Sequence, residues 1–241
     1  MIISFSNKYS WELFFSTNSP SITTTTRVSL TVENSFYFKN CLFNNLSSSS
    51  HGGAFYVSSS SDDSKVLIED TTFSECTSYY NGGGIYFYNK GQIVLYKICG
   101  NKCKTSSTTY SGQISLTVTS LASSSIIPHH YIILSSTINC GSYTTMDYSQ
   151  IKSEGKYNTI RCDCGNQLID TVNASNNNCY RMSFIGLYGS SNENSYVTNQ
   201  IKYCTSSNNK DTDGINIITY SSRKYTLSNC NIINNEIDPS Y

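Results

Sequence analysis

The chain has 241 residues, enough to bury a sizeable core in one or two units. Charged residues make up only 13%, and 16 basic side chains cancel 16 acidic ones, so no cationic field is present to attract nucleic acid or anionic lipid. Ser, Thr, Asn and 20 Tyr carry the composition, with only 3 Pro; plentiful aromatic and β-branched residues exclude a disordered chain and favour strands.

Residues 1–30 read as an N-terminal segment or cap. The opening "MIISFSNKYSWELFF" starts apolar, but Asn7, Lys8 and Glu12 interrupt the continuous core of roughly 7–15 residues that a secretory leader needs. No run approaches the ~20 apolar residues of a membrane span. The longest apolar cluster, from Ile126 to Leu134, is broken by Pro128, His129 and His130. No stretch places apolar residues at i, i+3, i+4 and i+7, so little helix is expected.

From residue 31 the chain repeats itself. "TVENSFYFKNCLFNNLSSSSHGGAFYV" (Thr31 to Val57) carries Cys41 and then the glycine step Gly52-Gly53. "VLIEDTTFSECTSYYNGGGIYF" (Val66 to Phe87) carries Cys76 and then Gly82-Gly83. "IVLYKICGNKCKTSSTTYSGQISL" (Ile93 to Leu116) aligns Cys103 with Cys76, 27 residues on, and Gly112 with Gly83, 29 residues on. Between about 104 and 178 the pattern blurs, although "YIILSSTINC", ending at Cys140, copies the first half of a repeat. Cys179 and Cys204 are 25 residues apart, and Gly214 follows the latter. The final copy, "RKYTLSNCNIINNE", contains Cys230 and stops before a loop, a glycine and a second strand, which predicts a repeat region, 31–241, truncated at its C-terminal end.

Each unit is thus a β-rich segment, a cysteine, a polar loop of variable length, a glycine step and an alternating strand. Side chains along a strand alternate between faces. One face carries Phe55 and Val57, then Ile85 and Phe87, then Ile114, Leu116 and Val118, then Ile215 and Ile217. The other carries Tyr56, then Tyr86 and Tyr88, then Ser115 and Thr117. A strand-only unit of about 25–30 residues suits a parallel β-helix, whose coils stack at ~4.8 Å. Leucine-rich repeats lack support because their consensus spacing is missing, and a propeller blade needs about 40–50 residues. An antiparallel sandwich gives no reason for the recurring cysteine. The expected fold is all-β, a parallel β-helix of roughly eight coils.

"HGGAF" and "NGGGI", each preceded by an F-x-x-C ("FKNC" and "FSEC"), resemble the GGA-I and F-x-x-N repeats of the polymorphic outer membrane proteins, a family named from chlamydiae. Related families in AT-rich protists such as trichomonads often replace the Asn by Cys, and the Asn/Ser/Tyr/Lys-rich composition is similar to theirs. The resemblance covers about half the chain. It implies a right-handed β-helix at a cell surface or secreted, acting in adhesion to a host or extracellular protein or glycan.

The candidate site residues follow. Cys41, Cys76, Cys103, Cys140, Cys179, Cys204 and Cys230 recur once per unit and are expected to form one internal ladder of buried thiols. Disulfides between adjacent rungs stay open, because a coil spacing of ~4.8 Å falls within the Cα range of a disulfide. Metal half-sites at Cys99/Cys103 and Cys162/Cys164 lack a nearby histidine and a short spacing between pairs, so no cofactor is expected. His51, His129 and His130 read as solvated loop residues. Asp62-Asp63 and the pair Asp211 and Asp213 are the best carboxylates for a carbohydrate-active enzyme, but turn roles explain them better, and no enzymatic activity is expected. Asn45 and Asn173 begin glycosylation sequons. Tyr56, Tyr86 and Tyr88 form the candidate binding face, since Tyr offers amphipathic contact area at low ordering cost. The function expected is non-enzymatic adhesion; a polysaccharide-degrading β-helix and a structural spacer are the alternatives.

Overall fold

The computed structural model describes residues 10–15, 26–32, 35–59, 61, 63–89, 91–105, 114–117, 129–133, 136–138, 160–163, 166–175, 178–179, 185–188, 199–208, 210–211, 217–220 and 225–237. Apart from one helix, Ser10–Phe15, the described elements are strands, and every pairing between them is parallel. They stack as a β-solenoid. Each coil passes through three long sheets in turn, and six of the seven coils then add a described strand to a short fourth one, which runs in two three-stranded pieces.

The coil is clearest over the second repeat. Phe55–Ser59 lies in the first sheet, Lys65–Glu69 in the second, Thr72–Ser74 in the third and Thr77–Ser78 in the short fourth. The glycine step then returns the chain to the first sheet at Ile85–Asn89, directly beside Phe55–Ser59. The strands that follow Gly53, Gly83 and Gly112 are neighbours: Phe55 pairs with Ile85, and Ile85 with Ile114. Gly112 and Gly214 themselves lie outside the described residues. Ile217, not Ile215, occupies the register position of Ile185 and Ile160.

The two glycines of a step have different duties. Gly52 and Gly82 sit at φ 59° and 68°, a region a side chain strains to enter. Gly53 and Gly83 are close-approach positions: a Cβ on Gly53 would collide with the backbone of Gly83 and Thr77, and one on Gly83 with the backbone of Lys104. The step therefore repeats because the first double glycine packs on the second, whose Gly83 packs in turn on the backbone of the following coil.

Two further corners turn the coil between sheets, and each uses one residue at φ between 46° and 55°. Asn40, Asp70, Lys97, Thr171, Tyr203 and Asn229 turn from the second sheet to the third; Asn45, Glu75, Lys102, Asn208 and Asn234 turn from the third to the fourth. Asn and Asp enter this region at the least cost among side-chain-bearing residues. Thr171 and Tyr203 have no such propensity, so stacking of the neighbouring coils holds them there.

The core is built from columns of register partners. Phe38, Ile68, Leu95, Ile169, Ile201 and Leu227 share one in the second sheet, with Ile132 at the same register position. Phe43 and Phe73 stack at 5.0 Å between ring centroids in the third. Phe55, Val57, Ile85 and Phe87, expected as the apolar face, are fully buried. The three long sheets run without a break through the segment expected to be irregular, whereas among the described residues the short fourth sheet is interrupted there, between Lys104–Thr105 and Asn178–Cys179. The repeat looked lost there because the strands are further apart in sequence: register partners Ile93 and His130 are 37 residues apart. The two ends differ. First-rung Phe38 and Phe43 are 1% and 0% exposed, whereas Leu227 and Ile232, in the same columns, are 46% and 48% exposed.

Within the N-terminal segment, the helix Ser10–Phe15 lies along the side of the solenoid. It packs Trp11 and Phe15 on the outer face of the second sheet, over Tyr37, Leu67, Val94 and Tyr96. The first sheet already begins at Val28, before residue 31. No helix among the described residues is long and apolar enough to cross a membrane.

Candidate binding face and corner thiols

The outer face of the first sheet gathers the expected tyrosines. Tyr56 and Tyr86 are register neighbours on adjacent coils, and Tyr86 and Tyr88 are two apart on one strand. Their rings run near-parallel: 5.9 Å and 18° between Tyr56 and Tyr86, 5.8 Å and 17° between Tyr86 and Tyr88. The structure corrects one part of the expectation. Tyr86 is not on the surface; it is only 6% exposed. Tyr56 and Tyr88 stay half-buried on its flanks.

His51 is what covers Tyr86, so it is not a solvated loop residue. Its ring lies 4.5 Å from that of Tyr86 at 17°, with Tyr80 at 5.2 Å and Tyr56 at 6.4 Å. The Asn81 N–H donates to His51 Nδ1 at 3.3 Å. That bond requires an unprotonated Nδ1, and burial lowers the His51 pKa from its usual 6.5. The loop is held in place by Arg27, whose Nε donates to the Gly52 carbonyl at 3.2 Å and whose terminal nitrogen donates to the His51 carbonyl at 3.0 Å. Arg27 immediately precedes the first strand, and nothing in its sequence neighbourhood marks it. His51 carried a readable signal: it stands against the glycine step, which must return to the tyrosine-bearing sheet.

The cysteines do not form one ladder. They occupy two corner columns, five residues apart within a coil. The Thr72 N–H donates to the Cys41 carbonyl, and the Cys99 N–H to the Thr71 carbonyl, which stacks Cys41, Thr71 and Ile98 at the first corner. Val172, Cys204 and Cys230 follow in that column, joined by Thr205 N–H to Val172 and Asn231 N–H to Cys204. Leu46, Cys76 and Cys103 stack at the second corner, linked by Thr77 N–H to Leu46 and Lys104 N–H to Cys76. Cys179 belongs to neither column; it pairs with Asp211 in a short strand. Cys140 and Cys164 lie outside the described residues, and Cys162 takes the register position of Leu116 and Leu187.

A local bond explains why cysteine recurs at these corners. Each follows a left-handed residue, and its thiol donates to the carbonyl two residues back: Cys41 to Lys39 at 3.5 Å, Cys76 to Ser74 at 3.3 Å, Cys204 to Lys202 at 3.2 Å, Cys230 to Ser228 at 3.3 Å. Thr71 makes the same bond to Glu69 at 2.7 Å. The corner wants a small buried group with one donor, and Cys meets that need while packing as a hydrophobe. Burial raises the Cys204 thiol to about 12. Cys76 is raised too, first by its hydrogen bond with the Cys103 side chain and then by burial.

The remaining candidates separate. His129 and His130 fall in a strand of the second sheet, with His130 in register with Ile93, so they do not lie in a loop. Asp63 is exposed, and its N–H is held by Ser61 Oγ at 3.2 Å, a turn role. Asp211 lies on a short strand, in register with Cys179 and Ile237. Asp62 and Asp213 lie outside the described residues. Asn45 is an exposed corner residue, and Asn173 is exposed on a strand paired with Thr205. No group of three or more His, Cys, Asp or Glu that could hold a metal ion occurs among the described residues. On the outer face of the second sheet, buried Glu69 accepts a hydrogen bond from Tyr37 and lies 3.5 Å from Lys39 Nζ.

Compared with protein-family models, curated proteins and solved structures, the chain matches none.

Proposed function

We propose that these coils form a non-enzymatic, right-handed β-solenoid segment of a cell-surface or secreted protein, and that the His51–Tyr56–Tyr86–Tyr88 face binds a host or extracellular protein or glycan. One observation carries the reading: an ordered aromatic stack on an outer sheet face, with Tyr56 and Tyr88 half-open at its margins. Such rings present rigid apolar area with a hydroxyl at the rim, which suits recognition of a partner of mixed polarity. The near-universal right hand of parallel crossovers supports the right-handed reading, and the seven strands of each long sheet support a count near the eight coils expected. The likeness of the "FKNC…HGGAF" and "FSEC…NGGGI" units to polymorphic outer membrane protein repeats supports the surface location and the adhesive role.

The test is a glycan array together with a panel of purified matrix proteins, probed with the wild-type chain and the double variant Tyr56→Ser/Tyr88→Ser. The expected result is saturable binding by the wild type, lost in the variant while its thermal midpoint holds. Binding indifferent to the double variant, or no binding at all, would leave the stack as sheet packing and favour a spacer. Turnover of pectin, alginate or chitin would replace adhesion by catalysis.

A further inference from the structure

Two pairs of cysteines occupy matching positions on consecutive coils. Cys204 and Cys230 stack at the first corner, and Cys76 and Cys103 at the second. The Asn231 N–H donates to the Cys204 carbonyl at 2.8 Å, and the Lys104 N–H to the Cys76 carbonyl at 3.0 Å, so both pairs sit one hydrogen-bonded coil apart. Each sulfur leans toward the coil before it: Cys230 Sγ is 3.8 Å from the Ile201 carbonyl oxygen, and Cys204 Sγ is 3.7 Å from that of Ile169. Cys41 has no such partner, because Thr71 stands next in its column. Cys99 is flanked by Thr72 and Ser136.

We propose that Cys204 and Cys230 form a two-electron oxidation site, a latent inter-coil disulfide that closes when the protein meets a small-molecule disulfide oxidant, with Cys76–Cys103 as a second site closed off from reagents. A coil spacing of ~4.8 Å places paired Cα atoms inside the 4.4–6.8 Å range of a disulfide. Cys230 Sγ already leans toward the coil of Cys204, and Cys204 Sγ toward the coil before that, so closure needs one χ1 turn, by Cys204. Cys230 is partly exposed and Cys204 is buried, which assigns the order of events. The Cys230 thiolate attacks the oxidant disulfide, forms a mixed disulfide and releases one small thiol. Cys204, losing its proton to solvent, then attacks the Cys230 sulfur and expels the second small thiol. Two S–H bonds are lost, one S–S bond is gained, and the oxidant takes both electrons. The raised pKa of Cys204 makes the second step the slow one. Cys76 and Cys103 are fully buried and wait on unfolding.

Folded protein is treated with oxidised glutathione, alkylated, digested with trypsin and analysed by mass spectrometry. The expected product joins the peptide Tyr203–Lys210 to the peptide that begins at Tyr225, while Cys41, Cys76 and Cys103 are alkylated only after denaturation. Cys204→Ser should halt the reaction at glutathionylated Cys230. Thr and Cys make the same corner bond, so Cys204→Thr is a second variant that keeps the fold and gives the same arrest. Glutathionylated Cys230 that persists in the wild type, or a Cys230 linked to any other cysteine, would overturn the proposal.

Discussion

The outer faces of the first and second sheets are built on the same coils yet treated in opposite ways. The second presents Leu67 and Val94, which carry no polar atom, and the chain folds its own helix over them, burying Trp11 and Phe15. The first presents Tyr56, Tyr86 and Tyr88, and covers only Tyr86, with one imidazole. A solenoid strand has an inner face that the fold fixes and an outer face that it leaves to choice. Aliphatic residues on the outer face demand a lid, whereas tyrosines tolerate partial exposure because the ring packs and the hydroxyl stays wet. The lidded face is thus scaffold, and the half-open one is where we place binding.

The strongest way to break this contrast is to lift the lid. Trp11→Ala should cost about 3–5 kcal/mol in denaturant unfolding, as for large aromatic truncations in cores. It should also raise dye binding as Leu67 and Val94 meet water. Tyr56→Ala on the other face should cost well under half as much. Equal losses would show that both faces are structural.

A second test addresses the polar group under the lid. Tyr37 donates to buried Glu69, and burial, then that bond, holds the phenol well above its usual 10.0. Tyr37→Phe should cost about 1–3 kcal/mol, the range for a buried acceptor losing a donor. The sign with pH follows from a raised folded pKa. Above pH 10.0 the unfolded chain loses the Tyr37 proton while the folded one keeps it, so stability is full below that value and falls as pH rises past it. Denaturant midpoints across that range should show an alkaline loss in the wild type that Tyr37→Phe reduces.

On the first face the ionisable group is His51, and the sign reverses. Its folded pKa lies below 6.5, so below pH 6.5 the unfolded chain binds the proton more readily and stability falls as pH drops. The Asn81 N–H bond to Nδ1 should break with it. The thermal midpoint should fall between about pH 7.5 and about pH 5.5, and His51→Phe, which keeps the stacking, should flatten that fall. A His51 resonance titrating above pH 6.5 would contradict the buried, neutral ring.

Much of this is legible in the residues alone. The glycine step, the strand after it and its buried face follow from "HGGAF" and "NGGGI", because positive φ and close backbone approach leave few alternatives to glycine. The cysteines mislead. Cys41 and Cys76 align as equivalents, but two near-identical corners lie five residues apart in every coil, and either accepts a small donor. Thr71, the true counterpart of Cys41, is invisible in the pattern because it does the same work with a hydroxyl. Cys179 matches by interval alone. The lid and the Arg27 clamp are long-range contacts with no local pattern: a six-residue helix is too short to show a period, and one arginine before a strand carries no signature.

The smallest expected effect separates two ion pairs that link neighbouring coils at similar distances. Lys39 Nζ lies 3.5 Å from Glu69 on the lidded face, and Lys102 Nζ lies 3.2 Å from Glu75 at an open corner. The Glu69 side chain is 3% exposed, whereas Lys102 and Glu75 are both half in water. Water screens the corner pair, and holding two long side chains together costs entropy, so Lys102→Met should change stability by less than about 0.5 kcal/mol, with no response to added salt beyond that of the wild type. Lys39→Met removes a partner from a carboxylate that water barely reaches, so its loss should be the larger of the two. Measured side by side in urea, the two substitutions read the cover directly, since distance and chemistry are nearly matched. Equal costs would mean that the burial of Glu69 adds nothing to its ion pair, and the contrast between the two faces would then rest on the aromatic residues alone.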